Sequence, residues 1–257
     1  MQRVYYVWDP KLGGGYGFGA FQTFTKGAGA DNNYYVSPGG GSYGTSGSVN
    51  NFIQSGQAFF VHTFGGTGTV SFTENAKVNN SSLTFRPAVQ ASLPIPQLRN
   101  NLYVVSNGNP VLIDGVLNQF DRSFSNSIDR DDAIKIGNTG ESLSIVNGIT
   151  DLSVERRKNI TTMDTLNYKL TGLRLQQYEF EFVPFKLNAA GLEAYLEDNF
   201  LNTLTPVSLD ATTRIRFEVI NNPRSFASGR FRVIFVQKNN CDEKIPLYSY
   251  QVPAGRH

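Results

Sequence analysis

Asp121, Asp129, Asp131 and Asp132 fall within twelve residues of one polar stretch, FDRSFSNSIDRDDAIK (120–135). Carboxylate and carbonyl oxygens gathered on one loop can wrap a calcium ion. The spacing is not that of an EF-hand, since the sixth position is not glycine and no glutamate closes a twelve-residue loop. The competing reading is that these aspartates make Asx-turns and cap backbone amides. Calcium is the one cofactor the sequence suggests, and these four residues are its candidate ligands. A second group is aromatic. Tyr16, Tyr34, Tyr35 and Tyr43 sit in Gly/Ser-rich loops, and Trp8 is the single tryptophan. Such rings either stack on sugar faces or pin long loops onto a core.

Other chemistry finds little material. The histidines are His62 and His257, so a Ser-His-Asp arrangement would have to use His62, which lies between Phe60 and Phe64 in a strand-like run. Histidine and cysteine are too scarce for a zinc site. GGGYGFG (13–19) has no Lys-Ser/Thr after it and no helical pattern, so it reads as a turn and not as a phosphate loop. Glu179 and Glu181 read as the polar face of a strand, and Glu197 with Asp198 as neighbours pointing apart. Neither pair has a local reason to act as a glycosidase dyad. VERRK (154–158) is the densest basic run and reads as a solvated strand end. No enzyme is expected.

The elements that must position these residues read as strands. The chain has 257 residues, 25 glycines, 19 phenylalanines and 12 tyrosines, with 17% charged residues. That mix favours β architecture with many turns. A formal net charge of +2, with acids and bases interspersed, does not suggest nucleic acid. No apolar run approaches the length of a membrane span. One cysteine, Cys241, allows no internal disulfide. MQRVYYVWDP lacks the apolar centre of an export signal, and its early strand pattern suggests a piece of a longer protein.

Residues 3–8, 20–25 and NYYVS (33–37) read as strands among Gly-rich loops. AFFVHTF (58–64) reads as a strong strand, turned by Gly65-Gly66 into GTVSFTE (68–74). Composition shifts after that, with Pro87, Pro94 and Pro96. Beyond it strands recur with turn signals every eight to twelve residues, the rhythm of an antiparallel sandwich. QQYEFEFVPF places Tyr178, Phe180 and Phe182 on one face, and TRIRFEVI does so with Ile215, Phe217 and Val219. Each strand is expected to have one dry and one wet face. EAYLEDNFL (193–201) has helical spacing at Leu192, Leu196 and Phe200, in conflict with its surroundings. The expected organisation is a β-rich module at 1–88, a β-sandwich module at 89–238 and a tail at 239–257. The fold class is all-β, as antiparallel β-sandwich modules with long Gly/Ser-rich loops.

FDRSFSNSIDRDDAIKIGNTGESLSI, then LSVERR, YEFEFVPFKL, LEAYLEDNFLNTLTPVSLDATTRIRFEV and SGRFRVIF, resemble the C-terminal region of large secreted Bacteroidota proteins. YVWDP and IQSGQAFFV resemble the segment upstream of it. The motifs are Phe120-Asp121, Asp132-Ala133-Ile134-Lys135, Leu196-Glu197-Asp198 and Arg230 to Phe235. The resemblance spans most of residues 3–237. It implies a β-sandwich ahead of a type IX secretion sorting domain, on an extracellular or cell-surface protein. It also implies that LEAYLED is extended. No sorting domain is recognisable in this sequence. The function expected is a non-catalytic structural or adhesin-like module, assembling through edge strands, with a carbohydrate-binding module as the alternative. Expected partners are neighbouring modules of the same protein or other surface proteins, a glycan, or further copies in an oligomer or fibre. Membrane insertion is not expected.

Overall fold

The computed structural model describes residues 4–10, 12–13, 15–27, 34–38, 53, 57–63, 65–77, 95–188 and 191–238. Among them the chain is nearly all β, without an α-helix. The strands are β1 (Val4–Asp9), β2 (Ala20–Lys26), β3 (Tyr34–Ser37), β4 (Phe60–Val61), β5 (Gln97–Ser106), β6 (Asn109–Phe120), β7 (Ala133–Ile134) and β8 (Ser142–Asn147). They continue with β9 (Thr150–Arg157), β10 (Thr165–Thr171), β11 (Gln177–Phe185), β12 (Leu192–Asp198), β13 (Thr203–Val207), β14 (Thr213–Glu218) and β15 (Phe231–Gln237). The conflicted segment is therefore a strand, β12. Its neighbours β13 and β15 supply the pairing that overrides helical propensity.

A small sheet has the order β3-β2-β1-β4, and a large one β13-β12-β15-β10-β8-β9-β6-β5-β11-β14 with β7 added on β9. The pairing is antiparallel except between β6 and β9, which run parallel from Leu117↔Val154 to Phe120↔Arg157. The large sheet curls until its ends face each other, giving a nearly closed, barrel-like form around one core. Phe217 on the end strand β14 meets Phe231 on β15 edge-on at 4.7 Å, and Phe180 on β11 meets the same ring at 5.0 Å. Each such ring pair adds about 0.5–1.5 kcal/mol beyond its buried area. Tyr178, Phe180 and Phe182 do face inward together, as their alternation indicates.

Arg230 clasps the two ends. Its guanidinium donates to Asp198 Oδ1 (3.0 Å) and Oδ2 (2.8 Å) on β12, to the Glu218 carbonyl (2.9 Å) on β14 and to the Ser225 carbonyl (2.6 Å). It lies over the rings of Phe231, Phe200 and Phe217 at 4.5, 5.0 and 5.3 Å. Both members of the pair are buried.

The small sheet docks on the outer face of the large one. Val4 and Tyr6 pack against Leu117, Ala133 and Val154. Tyr6 Oη donates to the Ile134 carbonyl (2.7 Å), Arg99 Nη1 to the Val36 carbonyl (2.6 Å), and Arg156 Nη2 to the Lys26 carbonyl (2.6 Å). Gly115 on β6 admits this approach, since a Cβ there would lie 2.8 Å from both Pro38 and Asn101.

The structure corrects the expectation of one wet face per strand. Glu179 and Glu181 are buried, the latter fully, and not solvated. Asn101 Nδ2 and Tyr103 Oη donate to Glu181, and Arg214 and Arg216 on β14 pair with Glu181 and Glu179. The basic run is likewise buried at Glu155 and Arg156. The described part of AFFVHTF contains only the two-residue β4, with both residues exposed, and the described part of GTVSFTE is not a strand. Among the described residues no longer ladder holds those segments extended. The module boundary at 88/89 and the tail at 239–257 lie outside the described residues.

Candidate functional site

The acidic stretch between β6 and β7 forms turns. Asp121 accepts from Ser123 N (2.9 Å) and Ser123 Oγ (2.6 Å), which hold its carboxyl below its ordinary value. Asp129 accepts from Asp131 N (2.8 Å), an Asx-turn. Asp132 Oδ2 accepts from Asp129 N (2.9 Å) and its Oδ1 from Arg156 N (2.8 Å) on β9. Burial pushes Asp132 up to about 6, against the pull of those two N–H groups. Asp131 contributes its carbonyl to Arg156 Nη1 (3.3 Å). Arg156 thus ties the acidic turns to Gln119 and to the end of the small sheet. Among the described residues no group of three or more His, Cys, Asp or Glu is arranged to hold a metal ion.

The aromatic candidates go to different places. Tyr35 is buried. Tyr34 pairs through its backbone with Lys26, while its side chain and Tyr43 lie outside the described residues. Trp8 is half-buried, edge-on to Phe21 at 5.0 Å, and Phe60, 54% exposed, meets Phe21 at 5.6 Å. His62 is exposed just after β4.

Tyr16 enters the most organised polar cluster. The Gly-rich turn after β1 carries it across the large sheet to Glu141 Oε1 (2.5 Å), and Gln176 Nε2 donates to its hydroxyl. The same carboxylate oxygen accepts from Tyr178 Oη (3.1 Å), and Arg174 Nε lies 3.5 Å away. The Arg174 guanidinium also stacks over the Tyr16 ring at 5.2 Å. The crevice beside it holds about 20 Å³, lined in part by Phe18, Asn138 and Gly140. That volume admits about one water. Burial raises both phenols, so Tyr16 and Tyr178 stay protonated donors. The cluster can lock the turn to the sheet, but it activates no nucleophile.

Sequence reasoning selected Tyr16 and missed Glu141, Arg174 and Gln176. Tyr16 and Glu141 are 125 residues apart, and nothing local to either announces the other. It also missed the ion pair of Asp114 with Lys135. An aspartate inside the apolar run VLIDGV was a readable signal for that one. Comparison with family models, curated proteins and solved structures finds no match.

Proposed function

We propose that this chain is a non-catalytic structural, adhesin-like module of a secreted or cell-surface protein. The observation that carries this reading is how the two sheets are joined. Polar side chains cross the joint and donate to backbone carbonyls 128, 63 and 130 residues away in sequence. Such bonds sit beside apolar packing at the same joint, so sliding the sheets apart would leave buried acceptors unmet. That is the build of a body that must stay folded under load. The core rings that meet across the curled sheet also suit a sandwich-like description, in which alternate residues of facing layers interlock. The motif resemblance to secreted Bacteroidota proteins supports the location.

Assembly through edge strands is part of the proposal. β1 lies between β2 and β4, so it is not an open edge. β13 carries Pro206, which blunts an edge. β14, six residues long and without a proline, is the longest edge strand among the described residues and the better candidate.

Antibody labelling of intact and permeabilised cells of the producing organism tests the reading. Equal labelling with and without permeabilisation, lost on protease treatment of whole cells, supports it. Labelling only after permeabilisation overturns it.

A further inference from the structure

Asp114 stands fully buried in the middle of β6, and Lys135, the residue after β7, reaches it. Lys135 Nζ lies 2.6 Å from Oδ1 and 2.7 Å from Oδ2. The side chains are 6% and 0% exposed. Among the described residues this is the only lysine ion pair buried at both ends. The carboxylate cannot turn away. Gly115 N donates to Oδ1 (2.8 Å) and Leu143 N, on β8, donates to Oδ2 (2.7 Å). The other deeply buried pair, Arg230 with Asp198, is chemically inert because a guanidinium keeps its proton.

We propose that Lys135 and Asp114 condense after folding into an intramolecular amide bond. The nucleophile and the electrophile are in contact, fixed and shielded from bulk water. Contact of this kind is worth effective molarities of about 10⁵–10⁸ M when the reacting orbitals can align. The pair is also two desolvated charges, which a neutral amide would remove. One proton passes from the ammonium to Oδ1, leaving an amine beside a carboxylic acid. The Nζ lone pair then forms a bond to Cγ. The oxyanion that develops on Oδ2 keeps the Leu143 N–H, a donor already in place. A second proton passes from Nζ to Oδ1, the Cγ–Oδ1 bond breaks, and water leaves. Both protons come from the lysine ammonium, so no co-reactant or oxidant is needed. The product keeps Oδ2 as an amide carbonyl on Leu143. It ties β6 to the end of β7 and closes a loop around the acidic turns. A chain with one cysteine has no internal disulfide for this purpose, and a bond closing such a loop constrains the unfolded state in the same way. This inference stands on the pair's geometry and does not depend on where the protein resides.

The test is the intact mass of the purified full chain under denaturing conditions, with fragmentation of a protease digest. The expected result is a mass one water below the sequence value and a branched peptide joining Asp114 to Lys135. Lys135→Arg and Asp114→Ala are each expected to show the full mass of their own sequence, because the first lacks the amine and the second the carboxyl group. A wild-type chain at its full sequence mass overturns the proposal. So does a lost water that persists in Lys135→Arg, because Asp114-Gly115 can also dehydrate to a cyclic imide without any lysine.

Discussion

Replacing Arg230 by alanine is expected to open the clasp between the ends of the large sheet. The guanidinium makes four hydrogen bonds, two to the buried Asp198 carboxylate and two to carbonyls on the β14 side. Removing it leaves Asp198 buried beside no cation, a situation that costs about 3–5 kcal/mol. The three rings around it lose a cation worth about 1 kcal/mol, part of which repacking recovers. The expected loss is about 4 kcal/mol, against a typical total stability of about 5–15 kcal/mol. Urea unfolding followed by far-ultraviolet circular dichroism measures it. Arg230→Lys keeps the charge but not the planar fork, and should fall between wild type and alanine. Asp198→Ala also removes the acceptor for Phe200 N and Leu201 N, so it is costly by itself. The double variant strands no charge, so it should be more stable than the sum of the singles predicts, by about 2–3 kcal/mol. A loss below about 1 kcal/mol for Arg230→Ala, or independent effects of the two changes, would refute the clasp.

Gly19 adopts φ +97°, and a Cβ there would sit 2.4 Å from the Asp9 carbonyl oxygen. Gly19→Ala should therefore lower stability by more than about 2 kcal/mol, whereas Gly108→Ala, with open space around it, should lose only about 1 kcal/mol to backbone strain, both read from thermal unfolding. Tyr6→Phe removes the donor to Ile134 and should cost about 1–2 kcal/mol. If the small sheet then loosens first, Trp8 fluorescence will change at lower urea than circular dichroism does, and coincident transitions would show the two sheets still unfolding together. Asp132 sits at about 6 in the folded chain against an ordinary 3.8. The folded form thus holds a proton that the unfolded chain has already released, and this group's contribution to stability falls as pH rises from about 4 to about 6. Relative to Asp132→Asn, the wild type should lose up to about 3 kcal/mol across that window, measured by unfolding at stepped pH, and a constant difference would remove Asp132 as the cause.

The sequence was most legible where neighbouring strands enforce what alternation implies. Tyr178, Phe180 and Phe182 on β11, and Phe217 on β14, face the core as their spacing requires. Alternation says which residues share a face, but not what covers that face. Glu179, Glu181 and Arg156 therefore looked solvated, while strands far away in sequence bury them. AFFVHTF looked like a strong strand because its residues favour extension, yet among its described residues only Phe60 and Val61 pair as a strand, with β1. EAYLEDNFL shows the opposite case, in which two flanking strands decide against local propensity. At the candidate site, the acidic turns were readable because an Asx-turn is a local device. The meeting of Tyr16 with Glu141 was not, because it depends on how the sheets dock.

That docking also sets a schedule for synthesis. Tyr6 finds its acceptor 128 residues later in the chain. At about 5–20 residues per second, the first strands wait about 6–26 s before β6, β7 and β9 exist to cover them. During that interval Val4, Tyr6 and Phe21 offer an apolar sheet face with no native surface to cover it. A newborn chain of this design is most vulnerable to aggregation in its first half, and its safe handling depends on whatever shields that half until the second arrives.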